Sequence, residues 1–90
     1  MFKVTCVAEN EETVTLKIEG RIVGLWVDEL KRECQKCLAT QSKLVIDLSG
    51  VSFIDDRGVK VLKSMVGDRT RLTGYSLFLS GLLNRQGKKK

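Results

Sequence analysis

The sequence predicts an α/β fold: a mixed β-sheet opened by an N-terminal hairpin and continued by βαβαβα crossovers, with helices packed on the sheet. Three observations carry this. Apolar and polar residues alternate over Thr13–Ile18, the apolar period lengthens to that of a helix from Trp26 onward, and the β-branched run Leu44-Val45-Ile46 separates that helix from a second helical stripe starting at Val59. The resulting order is strand, strand, helix, strand, helix, strand, helix. It calls for right-handed connections that lay the helices against the sheet.

Phe2–Ala8 and Thr13–Ile18 read as the two hairpin strands. In the second, Val14, Leu16 and Ile18 form an apolar face against Thr13, Thr15 and Lys17, and the polar run Glu9-Asn10-Glu11-Glu12 joins the pair. Gly20 and Gly24 break the alternation around Arg21-Ile22-Val23. In the helix from Trp26 to about Thr40, Trp26, Leu30, Cys34, Cys37 and Leu38 share one side, while Glu29, Lys31, Arg32, Glu33 and Lys36 point outward. Asp28 and Glu29 in its first turn suit the positive end of the helix dipole. Trp26 reads as a core anchor.

Lys43–Leu48 is too short for a helix and has the composition of a central parallel strand buried on both faces. Ser49 to Ile54 is expected to be a loop. Asp55 then caps a helix whose apolar side carries Val59, Leu62, Met65 and Val66, with Gly67 at its end. Thr70–Gly74 is a weak strand. Ser76 caps a last helix with Phe78, Leu79, Leu82 and Leu83 as its buried stripe. In such a topology binding gathers where central strands end and helices begin, here Asp47 to Gly58.

Ninety residues, 42% hydrophobic and 30% charged, describe one domain over residues 1–85 followed by a basic tail at 86–90. Residues 1–58 carry eight basic and ten acidic side chains, whereas residues 59–90 carry eight basic and one, so the basic excess lies in the last third. Lys88, Lys89 and Lys90 read as a solvated, solubilising tail rather than a nucleic-acid contact. The longest apolar stretches fall far short of the roughly 20 residues that span a bilayer, so no membrane association is expected. Neither does Met1 to Asn10 show the basic region and apolar run of a leader. Three cysteines in no disulfide framework point to a cytoplasmic location.

Several chemistries lack their residues. The chain has no histidine, the commonest general base, and no glycine-rich phosphate loop. Cys34-Gln35-Lys36-Cys37 has redox spacing, but both cysteines sit well inside the helix on its apolar side rather than at a helix start. With Cys6 they make three soft ligands and no fourth. No catalytic residue, metal or cofactor is therefore expected. Few aromatics and no aromatic pair on the strands make nucleic acid a minor alternative.

Leu44 to Gly58, containing Asp47-Leu48-Ser49, the pair Phe53-Ile54 and Asp55-Asp56-Arg57-Gly58, resembles the STAS domain of anti-sigma factor antagonists. Gly20-Arg21-Ile22 and the Tyr75-Ser76 turn extend the resemblance over about residues 12–85. It implies a bacterial, non-enzymatic module in transcription regulation and signalling that binds a protein partner, an anti-sigma factor kinase in particular. The implied docking set is Ser49, Asp55, Asp56, Arg57, Gly58 and Lys60, with Asp55 fixing the turn and Gly58 allowing close approach of the partner. The resemblance also places Asp56 where family members carry a phosphorylated serine, which an aspartate cannot imitate as a switch. Two readings of Asp56 stand side by side: a favourable acid in a helix first turn, and a permanent charge of about −1 in place of the roughly −1.5 to −2 of phosphoserine. A chain shorter than the family's pattern leaves a sheet edge that invites pairing with another chain, a homodimer included. A self-assembling scaffold and an anion or nucleic-acid binder using the basic third are the alternatives from other classes.

Overall fold

A computed structural model describes residues 2–74 and residue 81. Its elements are β1 (Phe2–Glu9), β2 (Thr13–Ile22), α1 (Leu25–Thr40), β3 (Lys43–Ile54), α2 (Asp56–Met65) and β4 (Thr70–Thr73). The expected last helix, with Phe78, Leu79, Leu82 and Leu83, the Tyr75-Ser76 turn and the lysine tail lie outside the described residues.

The four strands form one sheet in the order β1-β2-β3-β4. β1 and β2 pair antiparallel, while β2 with β3 and β3 with β4 pair parallel across α1 and α2. The hairpin turn is closed by Asn10, whose Oδ1 accepts the backbone N–H groups of Glu12 at 2.9 Å and Thr13 at 2.7 Å. That local side-chain bonding is why asparagine favours turns. A bulge between Cys6 and Ala8 sets Val7 aside in β1.

Two boundaries differ from the sequence expectation for one reason. β2 does not end at Ile18, because Gly20 adopts a φ of 96° inside the strand and kinks it instead of stopping it. The stretch 49–54 is correspondingly not a loop: Gly50, Val51, Phe53 and Ile54 continue β3 beside Glu19, Gly20, Arg21 and Ile22 through two register shifts. Irregular pairing of this kind leaves no alternating signature for a sequence reading to find.

The core lies between one sheet face and the two helices. Val14, Leu16, Ile18 and Ile22 from β2 and Leu44, Ile46, Leu48 and Ile54 from β3 meet Val27, Leu30 and Cys34 of α1 and Val59 and Leu62 of α2. Burying each large aliphatic side chain contributes about 1.5–3 kcal/mol. β3 is not fully buried on both faces, since Val45 on the opposite side is only half-buried. Trp26 is likewise no core anchor: Val27 takes that place, and Trp26 lies 43% exposed at the β1 flank, stacked on Phe2 with ring centroids 5.2 Å apart. Val66 is not on the buried side of α2 but is its exposed, extended C-terminal cap. Arg69 closes the end of α1, donating to the carbonyls of Leu38, Gln41 and Ser42 at 2.6–3.1 Å. One charge of the basic third is thus used to satisfy carbonyls that a helix end leaves unpaired.

Candidate functional site

The ends of β2 and β3 bring two chain segments together: the turn from Ile22 into α1 and the start of α2. Asp55 joins them. Its backbone N–H donates to Ile22 O at 3.1 Å, its Oδ1 accepts from the Gly58 N–H at 2.7 Å, and its Oδ2 accepts from the Gly24 N–H at 3.1 Å. The expected capping role is therefore present, since one oxygen serves an N–H that the first turn of α2 leaves unpaired. The second oxygen holds a neighbouring turn, which the sequence did not disclose.

Gly24 occupies φ 55°, ψ −127°, a backbone conformation that side chains disfavour, and it starts α1 with no side-chain cap of its own. Its two backbone groups are both held from α2: the N–H by Asp55 and the carbonyl by Arg57, whose Nη1 donates at 3.3 Å. Arg57 Nη2 also forms an ion pair with Asp28 of α1. Arg57 was expected in the docking set; it is exposed, but its guanidinium is spent on bracing the two helix starts.

Held between these bonds, Leu25 projects 82% exposed from the first turn of α1. Asp56 and Lys60 lie one helical turn apart on the exposed side of α2. Asp56 enters no hydrogen bond or ion pair among the described residues. It adds a favourable charge at the positive end of the α2 dipole. Phe53 stands at the end of β3, 39% exposed, with the Arg21 guanidinium carbon 5.3 Å from its ring centre. Leu25, Gly24 and Asp28 thus join the site although sequence reasoning did not assign them to it. The available signal was the glycine break before the helix together with an apolar residue outside the buried stripe.

Two expected members sit elsewhere. Gly58 is buried, and a Cβ there would lie 2.7 Å from Ile54 Cγ1 and 3.1 Å from Ile22 Cγ2 and Ile22 O. The close approach it permits is that of α2 to the sheet, not of a partner's backbone, so its expected contact role does not fit its position. Ser49 is exposed but belongs to the neighbourhood of Asp47 and Gly74. Its N–H donates to Asp47 Oδ1 at 2.9 Å, and this bond holds the Asp47 carboxyl below its ordinary value. No hydrogen bond joins Ser49 to the start of α2 among the described residues. The Asp-Leu-Ser motif lies where the pairing of β3 with β2 becomes irregular.

Cys34 and Cys37 lie on the apolar side of α1 as expected, but only Cys34 is fully buried, while Cys37 is half-buried and Cys6 is exposed. Cys34 is buried, and desolvation, with the nearby Cys37 and Glu33 adding to it, pushes its thiol up from 9.0 to about 12. Burial also raises Cys37. Neither is the low-pKa thiol that redox exchange uses.

The sequence matches the family profile described as the STAS domain over residues 6–85. Solved structures with the same fold include the anti-sigma factor antagonist SpoIIAA in its unphosphorylated form, at 17% identity and a TM-score of 0.68, covering 93% of this chain and 82% of that one. The STAS domain of an antisigma-factor antagonist from Rhodobacter sphaeroides is 21% identical with a TM-score of 0.64, over 81% and 86% of the two chains. The phosphorylated form of the Bacillus cell fate determinant SpoIIAA is 17% identical with a TM-score of 0.61, over 97% and 84%. At these identities the likeness is one of fold.

Proposed function

Because this chain belongs to the STAS domain family, we propose that it is a non-enzymatic regulatory module that docks on a protein partner through the start of α2 and the adjoining β2–α1 turn. The partner in this proposal is an anti-sigma factor kinase of the kind that anti-sigma factor antagonists meet, and the setting is the bacterial cytoplasm. The reading is carried by one observation: of two adjacent aspartates, Asp55 is used internally, and Asp56 is exposed at the helix start with no partner among the described residues. A structural first-turn acid needs only the dipole. A docking acid needs to be free and held on a rigid frame, and the bonds from Asp55 and Arg57 to Gly24 supply such a frame.

In this reading Leu25 is the apolar anchor, and Asp56 and Lys60 are the charged groups beside it. SpoIIAA exists in phosphorylated and unphosphorylated forms. Asp56, where the family resemblance implies a phosphorylatable serine, keeps a constant charge, so in this reading the module is set in one state. Its partner is released or held by other means.

The test is binding to a purified, ATP-loaded anti-sigma factor kinase from the same genome, for the natural protein and for Asp56→Lys. Reversing one charge at the centre of the interface is expected to weaken binding by at least about tenfold, which corresponds to ~1.4 kcal/mol. Thermal stability should fall modestly, by about 0.6–2 kcal/mol, because the reversal removes a favourable first-turn charge and adds an unfavourable one, each about 0.3–1 kcal/mol. Unaltered affinity in a folded variant would overturn the proposal.

A further inference from the structure

A second surface lies on the other side of α1. β1 is the outermost strand on its side of the sheet, so its outer row of N–H and C=O groups faces no strand among the described residues. Such a row is a template for another strand. Beside it a groove runs between β1 and α1. Phe2, Val4 and Trp26 line its upper part, with Glu29 and Glu33 on the helix wall, and Glu9 and Lys36 lie further along. The Phe2–Trp26 ring stack, tilted by 12°, gives that end a flat apolar wall.

The spacing of the acids selects what fits. Glu29 and Glu33 are four residues apart on α1, hence about 6 Å along the helix axis. Side chains on one face of an added strand recur every second residue, at about 6.6 Å. Alternate side chains of a strand laid along β1 are thus spaced much as these two carboxylates are along α1. Each acid is at present paired with a cation of its own helix, Glu29 with Arg32 and Glu33 with Lys36, the latter at 3.5 Å. Exposed pairs three residues apart hold weakly and exchange readily. The bulge between Cys6 and Ala8 ends the regular edge, leaving Phe2 to Cys6, about 17 Å at the usual rise per residue.

We propose that the open edge of β1 and the acidic, aromatic groove beside it bind an extended segment of a partner protein that carries lysine or arginine at alternate positions, by strand addition. Backbone pairing would supply affinity and the two carboxylates would select the sequence. This surface uses none of Asp55 to Lys60, and its test does not depend on the kinase proposal.

Trp26, the one tryptophan in the sequence, lines the groove, so its fluorescence reports occupancy directly. The probes are three acetylated seven-residue peptides: lysine alternating with threonine, glutamate alternating with threonine, and the lysine peptide N-methylated at alternate residues to block strand pairing. The lysine peptide is expected to change Trp26 emission saturably and to bind at least about tenfold more tightly than the other two. In the protein variant Glu29→Gln/Glu33→Gln, whose fold is checked by circular dichroism, its affinity should fall at least about fivefold. No saturable change, equal binding of the glutamate or N-methylated peptide, or full affinity in the double variant would each overturn the proposal.

Discussion

Asp55 and Asp56 are the same residue type side by side, and their environments give them separate roles. Removing the Asp55 carboxylate strips partners from two N–H groups, that of Gly58 in the first turn of α2 and that of Gly24 in the turn before α1. Asp55→Ala is therefore expected to lower unfolding free energy by about 1–2 kcal/mol, the upper part of the range for a lost cap, as read by urea denaturation. Asp56→Ala should lose only the dipole contribution, about 0.3–1 kcal/mol. Equal losses would mean that the division of labour between the two acids is wrong. The capping role of Asp55 was legible in the sequence because an aspartate directly before an apolar helical stripe is a strong start signal. Its second bond was not, since Gly24 is 31 residues away and nothing local links them. Arg57 shows the same blindness: a charge on a helix start reads as exposed rim, and only the fold reveals that Asp28 and the Gly24 carbonyl stand within its reach.

At the scale of elements, the places where the reading succeeded share a clean periodicity. Thr13–Ile18 and the interior of α1 each repeat one pattern for long enough to fix both type and inward face, whereas Lys43–Leu48 was legible as a strand but not as one with a single buried face. The failures came where a glycine kinks a strand instead of ending it, and where the flank of a helix stripe is shared between core and edge, as with Trp26. α2 depends on its fit to the sheet more than on its length of ten residues, because an isolated helix that short is marginal in water. Gly58 sets that fit. A methyl group there meets Ile54 Cγ1 and the Ile22 carbonyl, of which the carbonyl belongs to a hydrogen-bonded strand and yields little. Gly58→Ala is expected to push α2 outward and cost about 1–3 kcal/mol, offset in part by alanine's better helix propensity. A thermal melt reads this; a variant as stable as the natural protein would show that α2 adjusts freely and that the site's frame is not rigid.

For the molecule as a whole, a mixed four-stranded sheet with two helices on one face holds the starts of both helices at one end, the end proposed as the docking surface. Topology made that end predictable, because the carboxyl ends of neighbouring parallel strands are where helix starts converge. The composition of the end was legible only in part: Asp55, Asp56, Arg57 and Lys60 came from one contiguous motif, whereas Leu25 is contributed by a turn that the motif does not include. Within the basic third, Arg69 spends its charge on the carbonyls at the end of α1, whereas Lys60 belongs to the proposed docking surface. The most direct measurement is a residue-by-residue footprint: amide chemical-shift changes in the nitrogen-15-labelled protein on adding the ATP-loaded anti-sigma factor kinase. The largest changes are expected at Gly24, Leu25, Asp56, Arg57 and Lys60, with β4 and the hairpin turn at Asn10 left unmoved. Changes confined to β4 or to the hairpin turn, with the start of α2 silent, would contradict it.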